Sequence, residues 1–437
     1  MKVLALTHAH LNKQGLSPVS CERTDSITGS WGKKLNWDVD VIHTEHTKWP
    51  GIWPNGNRLK INIIKVVPSE NLMITGVQPM FSKSLKALVD KKKFASIFSL
   101  IARRVGKRLR HSLAGKGFLL PSDMIKGQKW GKHILTIKDI HKKKYDFIFV
   151  SVGHGDEYLL ETALVISNGL NVPMIVDFRD LWSDHHDPKR FNEQQKKLIR
   201  KYELRLLHKT ILVSVPQKVE VSFLKKWVKM PVYQLSHSAY IEKDWEEGKI
   251  ISDEFRMLYS GKLYAAAPGL DMFLQLIKEL SAAPLYKQIR CYFFVDDPET
   301  LKKKVQQYEI SDNVVINGWV SPSELWAHTR SAHLLVIPDP GISEDHPLFP
   351  TKTFQYAYSG RQILCLFRYK NEEMDELLKN YDAGKSFTNI ADAKKWVEKL
   401  SFETSQYEAL PSLRKIPLRE DIAVEYALFI EQLLLKK

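Results

Sequence analysis

Apolar residues along this chain form short uninterrupted runs, separated by stretches in which apolar positions recur every three or four residues. The short runs are typical of strands buried in a parallel sheet, and the periodic stretches are typical of amphipathic helices. In the first half this pattern predicts strands at 3–7, 39–43, 60–67, 147–151, 174–177 and 211–215, with helices at 157–167 and 194–208. Such alternation predicts a parallel sheet whose strands are joined by crossover helices.

The pattern restarts after 241–253, where a cluster of charged residues interrupts the apolar periodicity and indicates a linker. Beyond it we predict strands at 255–259, 291–295, 314–316, 334–338 and 363–367, and helices at 271–280, 298–308, 322–330 and 419–435. Ser321, with Glu324 three positions later, is an N-terminal capping signal for one of these helices. A chain of 437 residues is long enough for two α/β domains of this kind.

The net charge of +15 is concentrated in one segment. Between Lys83 and Lys144 there are 18 Lys and Arg against three acids, so the remaining chain is neutral on balance. Apolar residues from Leu85 to Leu109 recur at helical spacing opposite the basic side. A basic amphipathic helix suits the surface of an anionic membrane, but the same apolar stripe is also explained by packing on a domain core. No nucleic-acid recognition motif accompanies the charge, so a nucleic-acid partner is not predicted.

Cysteine and histidine spacing argues against a metal centre. The chain contains three widely separated cysteines, Cys21, Cys291 and Cys365. They form no metal-ligand or disulfide spacing, which is typical of a protein from a reducing compartment. The adjacent His185 and His186 point apart on regular backbone and lack a third ligand. From this spacing we expect no metal, and we expect no cofactor. No apolar stretch approaches the ~20 residues of a transmembrane helix, so we also expect a cytoplasmic protein.

The most informative segment for chemistry is Pro350–Gly360, which follows the predicted strand 334–338. It reads as a loop that enters a short helix, and Lys352 lies near the start of that helix. A lysine beside a helix N-terminus, at the carboxyl edge of a parallel sheet, is where a phosphate group would be held. The sequence therefore predicts a phosphate-containing ligand.

Several segments together resemble the family 4-like glycosyltransferases of the GT-B fold. Pro350–Gly360 has the family's Pro-x-Lys element, and Gln355–Tyr356 stands where the family has a Glu-Tyr pair. Asp177–Trp182 is similar to the family's Asp-Phe-Arg-Asp-x-Trp signature. Leu258–Tyr264 resembles the opening of its second domain, and Asn317–Val320 resembles the element that reads the base.

This resemblance implies an α/β protein with two Rossmann-like parallel-sheet domains that face a cleft, and a C-terminal helix that crosses back to the first domain. The implied limits are 1–240 for an acceptor domain, 241–415 for a nucleotide-sugar domain and 416–437 for the crossover helix. The implied activity moves a sugar from a nucleotide-diphosphate sugar to a polysaccharide or lipid-linked acceptor, in polysaccharide or lipopolysaccharide biosynthesis. The family analogy also implies retention of configuration and no metal.

The same resemblance assigns individual residues to the reaction. A departing diphosphate needs cations and close backbone donors. The residues assigned to it are Gly261, Lys262, Thr351 and Lys352. Those assigned to the base and ribose are Gly318, Trp319, Val320 and Gln355, and those assigned to the reaction centre are His154, Arg179 and Asp180. Arg179 and Asp180 have a competing interpretation, as an ion pair that fixes the end of a strand.

The chain departs from the family at several positions. The family's two glutamates would fall at Pro347 and Gln355, and an expected lysine would fall at Pro268. Gln355 can still form hydrogen bonds, but it lacks the charge that strengthens them. Two rival functions therefore stay open. One is a nucleotide-sugar 2-epimerase of the same fold, and the other is a non-catalytic binding or assembly subunit.

Overall fold

The computed structural model describes residues 1–7, 19–44, 61–66, 121–153, 157–183, 192–240, 245, 247–249, 253–263, 268–283, 288–341, 350–404 and 411–436. By internal contacts the chain divides into two compact units. Unit 1 comprises Met1–Ser236 and Ala423–Lys437, and unit 2 comprises His237–Ile422. The domain limits predicted from the sequence differ from these units at each boundary and stay a prediction.

Unit 1 is built on a seven-stranded parallel sheet in the order β3-β2-β1-β4-β5-β6-β7. Its strands are β1 (Lys2–Thr7), β2 (Asp38–Thr44), β3 (Ile61–Val66), β4 (Phe147–Val152), β5 (Met174–Phe178), β6 (Thr210–Val215) and β7 (Val232–Gln234). The strands β4, β5 and β6 are buried along their whole length, which explains their uninterrupted apolar runs.

Helices of unit 1 pack on this sheet. They are α1 (Val19–Leu35), α2 (Pro121–Ile134), α3 (Lys138–Lys142), α4 (Tyr158–Leu170), α5 (Glu193–Leu206), α6 (Lys218–Leu224) and, from Ala423 onward, α13 (Arg419–Leu435). One apolar cluster joins α2, α4 and α5 through side chains such as Trp130, Leu160 and Ile199. Gly127 and Gly131 allow α2 to approach α4 closely, because a Cβ at either position would fall within 2.6 Å of α4 atoms.

Unit 2 is built on a six-stranded parallel sheet in the order β10-β9-β8-β11-β12-β13. Its strands are β8 (Glu254–Gly261), β9 (Gln288–Val295), β10 (Val314–Asn317), β11 (Leu334–Pro338), β12 (Gln362–Leu366) and β13 (Gly384–Phe387). Its helices are α7 (Pro268–Ser281), α8 (Pro298–Gln307), α9 (Pro322–Ser331), α10 (Lys352–Tyr358), α11 (Glu372–Asn380) and α12 (Ile390–Thr404). The Ser321 side chain caps α9 by accepting the Glu324 N–H at 3.2 Å, which confirms the predicted capping signal.

The prediction of two parallel α/β units is confirmed, and every strand predicted from an apolar run is present. In the predicted linker, the Lys249 N–H donates to the Ser331 hydroxyl at 3.0 Å, so this part packs on α9. The predicted basic amphipathic helix at 85–109 lies outside the described residues. Within the described ranges no helix is long and apolar enough to span a bilayer.

Candidate functional site

Most of the predicted donor residues lie at or after the carboxyl ends of strands in the unit 2 sheet. Strand β8 ends at Gly261, β10 ends at Asn317, and the chain that leaves β11 leads to α10. Carboxyl ends of parallel strands share one edge of a sheet, and ligands of open α/β sheets bind there. The loop after β8 is held to the end of β9, because the Leu263 N–H donates to the Asp296 carboxylate at 2.6 Å.

Lys352 reaches from α10 to the end of β8. Its Nζ donates to the carbonyl oxygen of Ser260 and lies 4.1 Å from the centroid of the Tyr259 ring. Gly261 has a positive φ of 127°, and a Cβ there would lie 2.8 Å from the Lys352 Nζ. Glycine at this position therefore serves both the backbone conformation and the close approach of the ammonium.

Tyr356 fixes the same two elements one helical turn further on. Its hydroxyl accepts the Ser260 N–H at 2.9 Å and lies 2.9 Å from the Ser260 hydroxyl. Residues four apart share one face of a helix, so Lys352 and Tyr356 together clamp α10 to Ser260. Burial raises the pKa of Tyr356 to about 12 and keeps this phenol neutral.

The Lys352 ammonium is held by neutral groups. Its side chain is partly exposed along its length, but its nitrogen is enclosed, and this burial lowers the pKa of Lys352 from 10.5 to about 7. Within the described residues no carboxylate pairs with it. Arg368, after β12, differs because its Nε donates to the buried Asp339 carboxylate at 2.9 Å. An enclosed ammonium without a counter-ion is suited to an anionic ligand.

Gln355 is already engaged through its oxygen. Its Oε1 accepts the backbone N–H of Tyr240 at 3.0 Å, and its Nε2 is buried without a hydrogen-bond partner among the described residues. A buried amide donor without an acceptor is unfavourable. Gln355 therefore offers a ligand a hydrogen-bond donor, whereas the family's glutamate would offer an acceptor.

The remaining predicted donor residues are more open. Lys262 is exposed, and its carbonyl accepts the Tyr259 hydroxyl at 2.6 Å. A Cβ built at Gly318 would have no atom of the described residues within 4 Å. The Trp319 side chain is 53% exposed, and Val320 packs on the apolar cluster beneath it. Thr351 is exposed, and its side chain does not cap α10. Because α10 has only seven residues, its N-terminus is not by itself a phosphate site, and the case for a phosphate rests on the Lys352 ammonium.

A second group of predicted residues meets at the carboxyl edge of the unit 1 sheet. The Arg179 N–H donates to the Val152 carbonyl at 2.7 Å. A Cβ at Gly153 would lie 3.1 Å from both the Arg179 guanidinium and the Asp180 Oδ2. The structure thus brings Arg179 and Asp180 to Gly153. His154, the next residue, lies outside the described residues, as do Pro347 and His185 with His186.

A buried network beneath this edge was not predicted from the sequence. Asp177 is fully buried, and its two carboxylate oxygens accept the hydroxyls of Ser151 at 2.8 Å and Ser214 at 2.9 Å. Ser214 in turn accepts the Tyr426 hydroxyl at 3.0 Å. The three strand residues are register partners across β4, β5 and β6. The available signal was a polar residue within each of three apolar runs.

The described residues offer no site for a metal ion and no reactive thiol. No cluster of three or more His, Cys, Asp or Glu side chains suited to a metal occurs in the part of the chain that the structure describes. Cys291 and Cys365 are buried within strands, and burial raises the pKa of both thiols. Neither is a candidate nucleophile, because the thiolate is the reactive form.

Comparison with known proteins identifies the fold. No protein-family profile matches the sequence, and no curated protein matches it. Among solved structures, sucrose-phosphate synthase from Thermosynechococcus elongatus is 12% identical with a TM-score of 0.55, and the match covers 100% of both chains. A proposed UDP-N-acetylglucosamine 2-epimerase from Listeria monocytogenes is 9% identical with a TM-score of 0.55, covering 100% of this chain and 97% of that one. A glycosyltransferase from Rickettsia africae is 10% identical with a TM-score of 0.53, covering 100% and 96%. At these identities the likeness shows the fold alone, and the fold is GT-B.

Proposed function

We propose that this protein is a glycosyltransferase that moves a sugar from a nucleotide-diphosphate sugar to a saccharide or lipid-linked acceptor. The observation that carries the proposal is the Lys352 ammonium, enclosed beside Gly261 at the carboxyl edge of a parallel sheet with only neutral described partners. The diphosphate of a sugar donor supplies the charge that this group lacks. The resemblance stated above and the GT-B fold point to the same class of donor.

In the proposed reaction, the bond between the anomeric carbon and the β-phosphate oxygen breaks, and its electron pair passes to that oxygen. The acceptor hydroxyl oxygen forms the new bond to the anomeric carbon, and its proton goes to the departing phosphate. Lys352, assisted by Lys262, stabilises the charge that grows on the diphosphate, so no metal is invoked. Attack from the face that the diphosphate leaves would give the retention that the resemblance implies.

The other predicted residues take secondary roles in this proposal. Gly318, Trp319 and Val320 contact the base, and Gln355 donates a hydrogen bond to a ribose oxygen. Arg179 and Asp180, with His154, orient the transferring sugar and the acceptor. The basic segment 83–144 holds the enzyme at an anionic membrane, as a lipid-linked acceptor requires. Polysaccharide or lipopolysaccharide synthesis is the process that this reaction would serve.

Lys352→Met tests the donor site. Calorimetric titration with UDP-glucose, GDP-mannose and ADP-glucose should show binding of at least one of them to the wild-type protein. Loss of one charge-assisted contact, worth about 1.5–3 kcal/mol, should weaken this binding roughly 10- to 150-fold in the variant. Lys352→Arg should retain part of the affinity. Lys379→Met, at an exposed position of α11, is the matched control and should bind as the wild type does.

The outcome of the titration also separates the rival functions. Wild-type binding that survives Lys352→Met unchanged would refute the assigned role of Lys352. Absence of binding to every nucleotide sugar would favour the non-catalytic subunit, for which the missing glutamates at Pro347 and Gln355 argue. If the sugar of the donor is converted in the absence of any acceptor, as detected by NMR, the 2-epimerase would be favoured.

A further inference from the structure

The segment that contains α5 and α6 carries a local excess of positive charge that the composition of the whole chain does not reveal. Residues 194–231 contain ten Lys and Arg and two Glu, whereas the whole chain outside 83–144 is neutral on balance. A local excess of this size produces a strong surface potential only if the compensating acids lie elsewhere.

Both glutamates of this stretch point inward. Glu203 is 1% exposed, and its carboxylate accepts the Ser183 N–H at 3.3 Å. Glu220 is 3% exposed, and its carboxylate accepts the Gln217 N–H at 3.1 Å at the start of α6. The nearest exposed acid along the chain is Glu193, which pairs with Lys196 at 2.8 Å. The exposed charges within 194–231 are therefore all positive.

The exposed cations form a stripe and a cluster. They are Lys197, Lys201 and Arg205 on α5, Lys218 at the start of α6, and Lys225, Lys226 and Lys229 after the end of α6. Spacings of four residues place the α5 side chains on one face of that helix, where Arg205 also pairs with the buried Glu161 carboxylate at 2.6 Å. The chain after α6 lies beside α5, because the Arg200 guanidinium lies 5.6 Å from the centroid of the Trp227 ring. We call this surface, defined by the seven residues above, the cationic face.

Apolar side chains interrupt the cationic face. Leu204 lies between Lys201 and Arg205 and is 44% exposed. Phe223 is partly exposed, with the Lys226 ammonium 5.0 Å from its ring centroid. A helical surface that combines lysines with exposed leucine and aromatic side chains suits the headgroup region of an anionic bilayer. Exposed leucine offers nothing to a nucleic-acid backbone, which favours lipid over nucleic acid.

We propose that the cationic face docks unit 1 on an anionic lipid bilayer. The surface is separate in sequence from segment 83–144 and would bind in addition to it. It rests on the proposed function only for the lipid-linked acceptor that docking would bring within reach. Each lysine near an anionic membrane contributes favourably, and the sum falls as salt screens the charges.

Co-sedimentation of the full-length protein with vesicles tests this proposal. Vesicles of phosphatidylcholine with 30% phosphatidylglycerol should bind the wild-type protein, and vesicles of phosphatidylcholine alone should not. The variant Lys197→Glu, Lys201→Glu, Lys225→Glu, Lys226→Glu should bind at least tenfold more weakly. The control carries Lys302→Glu, Lys303→Glu, Lys379→Glu and Lys395→Glu, an equal charge change at exposed positions of unit 2, and should bind as the wild type does.

Several results would overturn the proposal. Equal vesicle binding by the cationic-face variant and the wild type would show that other residues hold the bilayer, and failure of the wild type to bind would remove the partner altogether. A 30-nucleotide poly(dT) that displaces the protein from vesicles at equal phosphate concentration would indicate nucleic acid instead. If the glutamate set does not fold, the corresponding Lys→Gln set should still bind at least threefold more weakly than the wild type.

The nucleotide-sugar titration distinguishes a failure of this docking proposal from a failure of the proposed function. The cationic-face variant should bind nucleotide sugars as the wild type does, because all four substitutions lie outside unit 2. Vesicle binding without nucleotide-sugar binding would refute the proposed function and leave docking supported.

Discussion

Lys352 combines two properties that rarely occur together in a lysine. Its ammonium is enclosed, and its described partners are a carbonyl and an aromatic ring, neither of which carries a negative charge. The Tyr259 ring faces it from β8, the Tyr356 hydroxyl of its own helix binds the same residue, Ser260, and Lys262 follows on the exposed loop. Burial therefore acts unopposed and lowers the pKa of Lys352 to about 7.

Donor binding should therefore be coupled to proton uptake. A diphosphate beside Nζ favours the charged form and raises the pKa of Lys352, so a lysine that is neutral above pH 7 gains a proton on binding. A nucleotide sugar has no group of its own that titrates in this range. Calorimetry in buffers of different ionisation enthalpy should show uptake close to one proton at pH 8.5 and about 0.1 at pH 6.

The matched variant for this coupling is Lys352→Arg, because guanidinium stays charged throughout this pH range. Its binding should show no buffer dependence at either pH. Wild-type binding at pH 8.5 without proton uptake would mean that the ammonium is already charged in the free protein.

At the scale of elements, Asp177 joins three neighbouring strands below the Arg179 edge. Ser151, Asp177 and Ser214 are register partners, and the two hydroxyls both donate to the one buried carboxylate. The network thus holds the carboxyl ends of β4, β5 and β6 together, where Arg179 and Asp180 begin the next loop.

Removing this carboxylate should destabilise unit 1. Asp177→Ala leaves two buried hydroxyls without their acceptor, and we expect the free energy of unfolding to fall by about 2–4 kcal/mol. Asp177→Asn keeps one acceptor and should lose roughly half as much. Urea denaturation gives both values. The control is Asp139→Ala, which breaks an exposed pair with Lys142 and should change stability by less than about 0.5 kcal/mol.

The sequence predicts elements well where burial is continuous and poorly where contacts span the chain. Apolar runs locate the strands with their order along the chain, but the three-residue β7 and the half-buried β13 carry no such run. The segment Pro350–Gly360 was enough to predict Lys352 as a phosphate ligand. Its contact with Ser260 could not be predicted in the same way, because the two residues are 92 positions apart. The bond between Gln355 and Tyr240 spans 115 positions, so no local pattern could indicate that the glutamine oxygen is already used. Charge counts likewise cannot show that Glu203 and Glu220 turn inward.

At the scale of the whole chain, the last helix completes the core of the first unit. The indole N–H of Trp31 donates to the Ala423 carbonyl at 2.9 Å, and that of Trp37 donates to the Glu431 carboxylate at 3.2 Å. Tyr426 is fully buried, with its ring centroid 5.1 Å from that of Tyr233. Residues nearly 400 positions apart thus form one aromatic core, in which each large ring buries roughly 150–250 Å².

Deletion of Ala423–Lys437 should therefore unfold unit 1 selectively. The deletion exposes Trp31 and Tyr233 and removes the acceptors of two indole donors, a loss comparable with the 5–15 kcal/mol by which a domain is usually stable. Thermal unfolding should lose the transition of unit 1, while nucleotide-sugar binding persists because Lys352 and its partners lie within His237–Ile422. The control Tyr426→Phe keeps the ring but removes the hydroxyl that donates to Ser214, and it should cost about 1 kcal/mol. An undiminished unit 1 transition in the truncated chain would contradict the assignment of the last helix to that core.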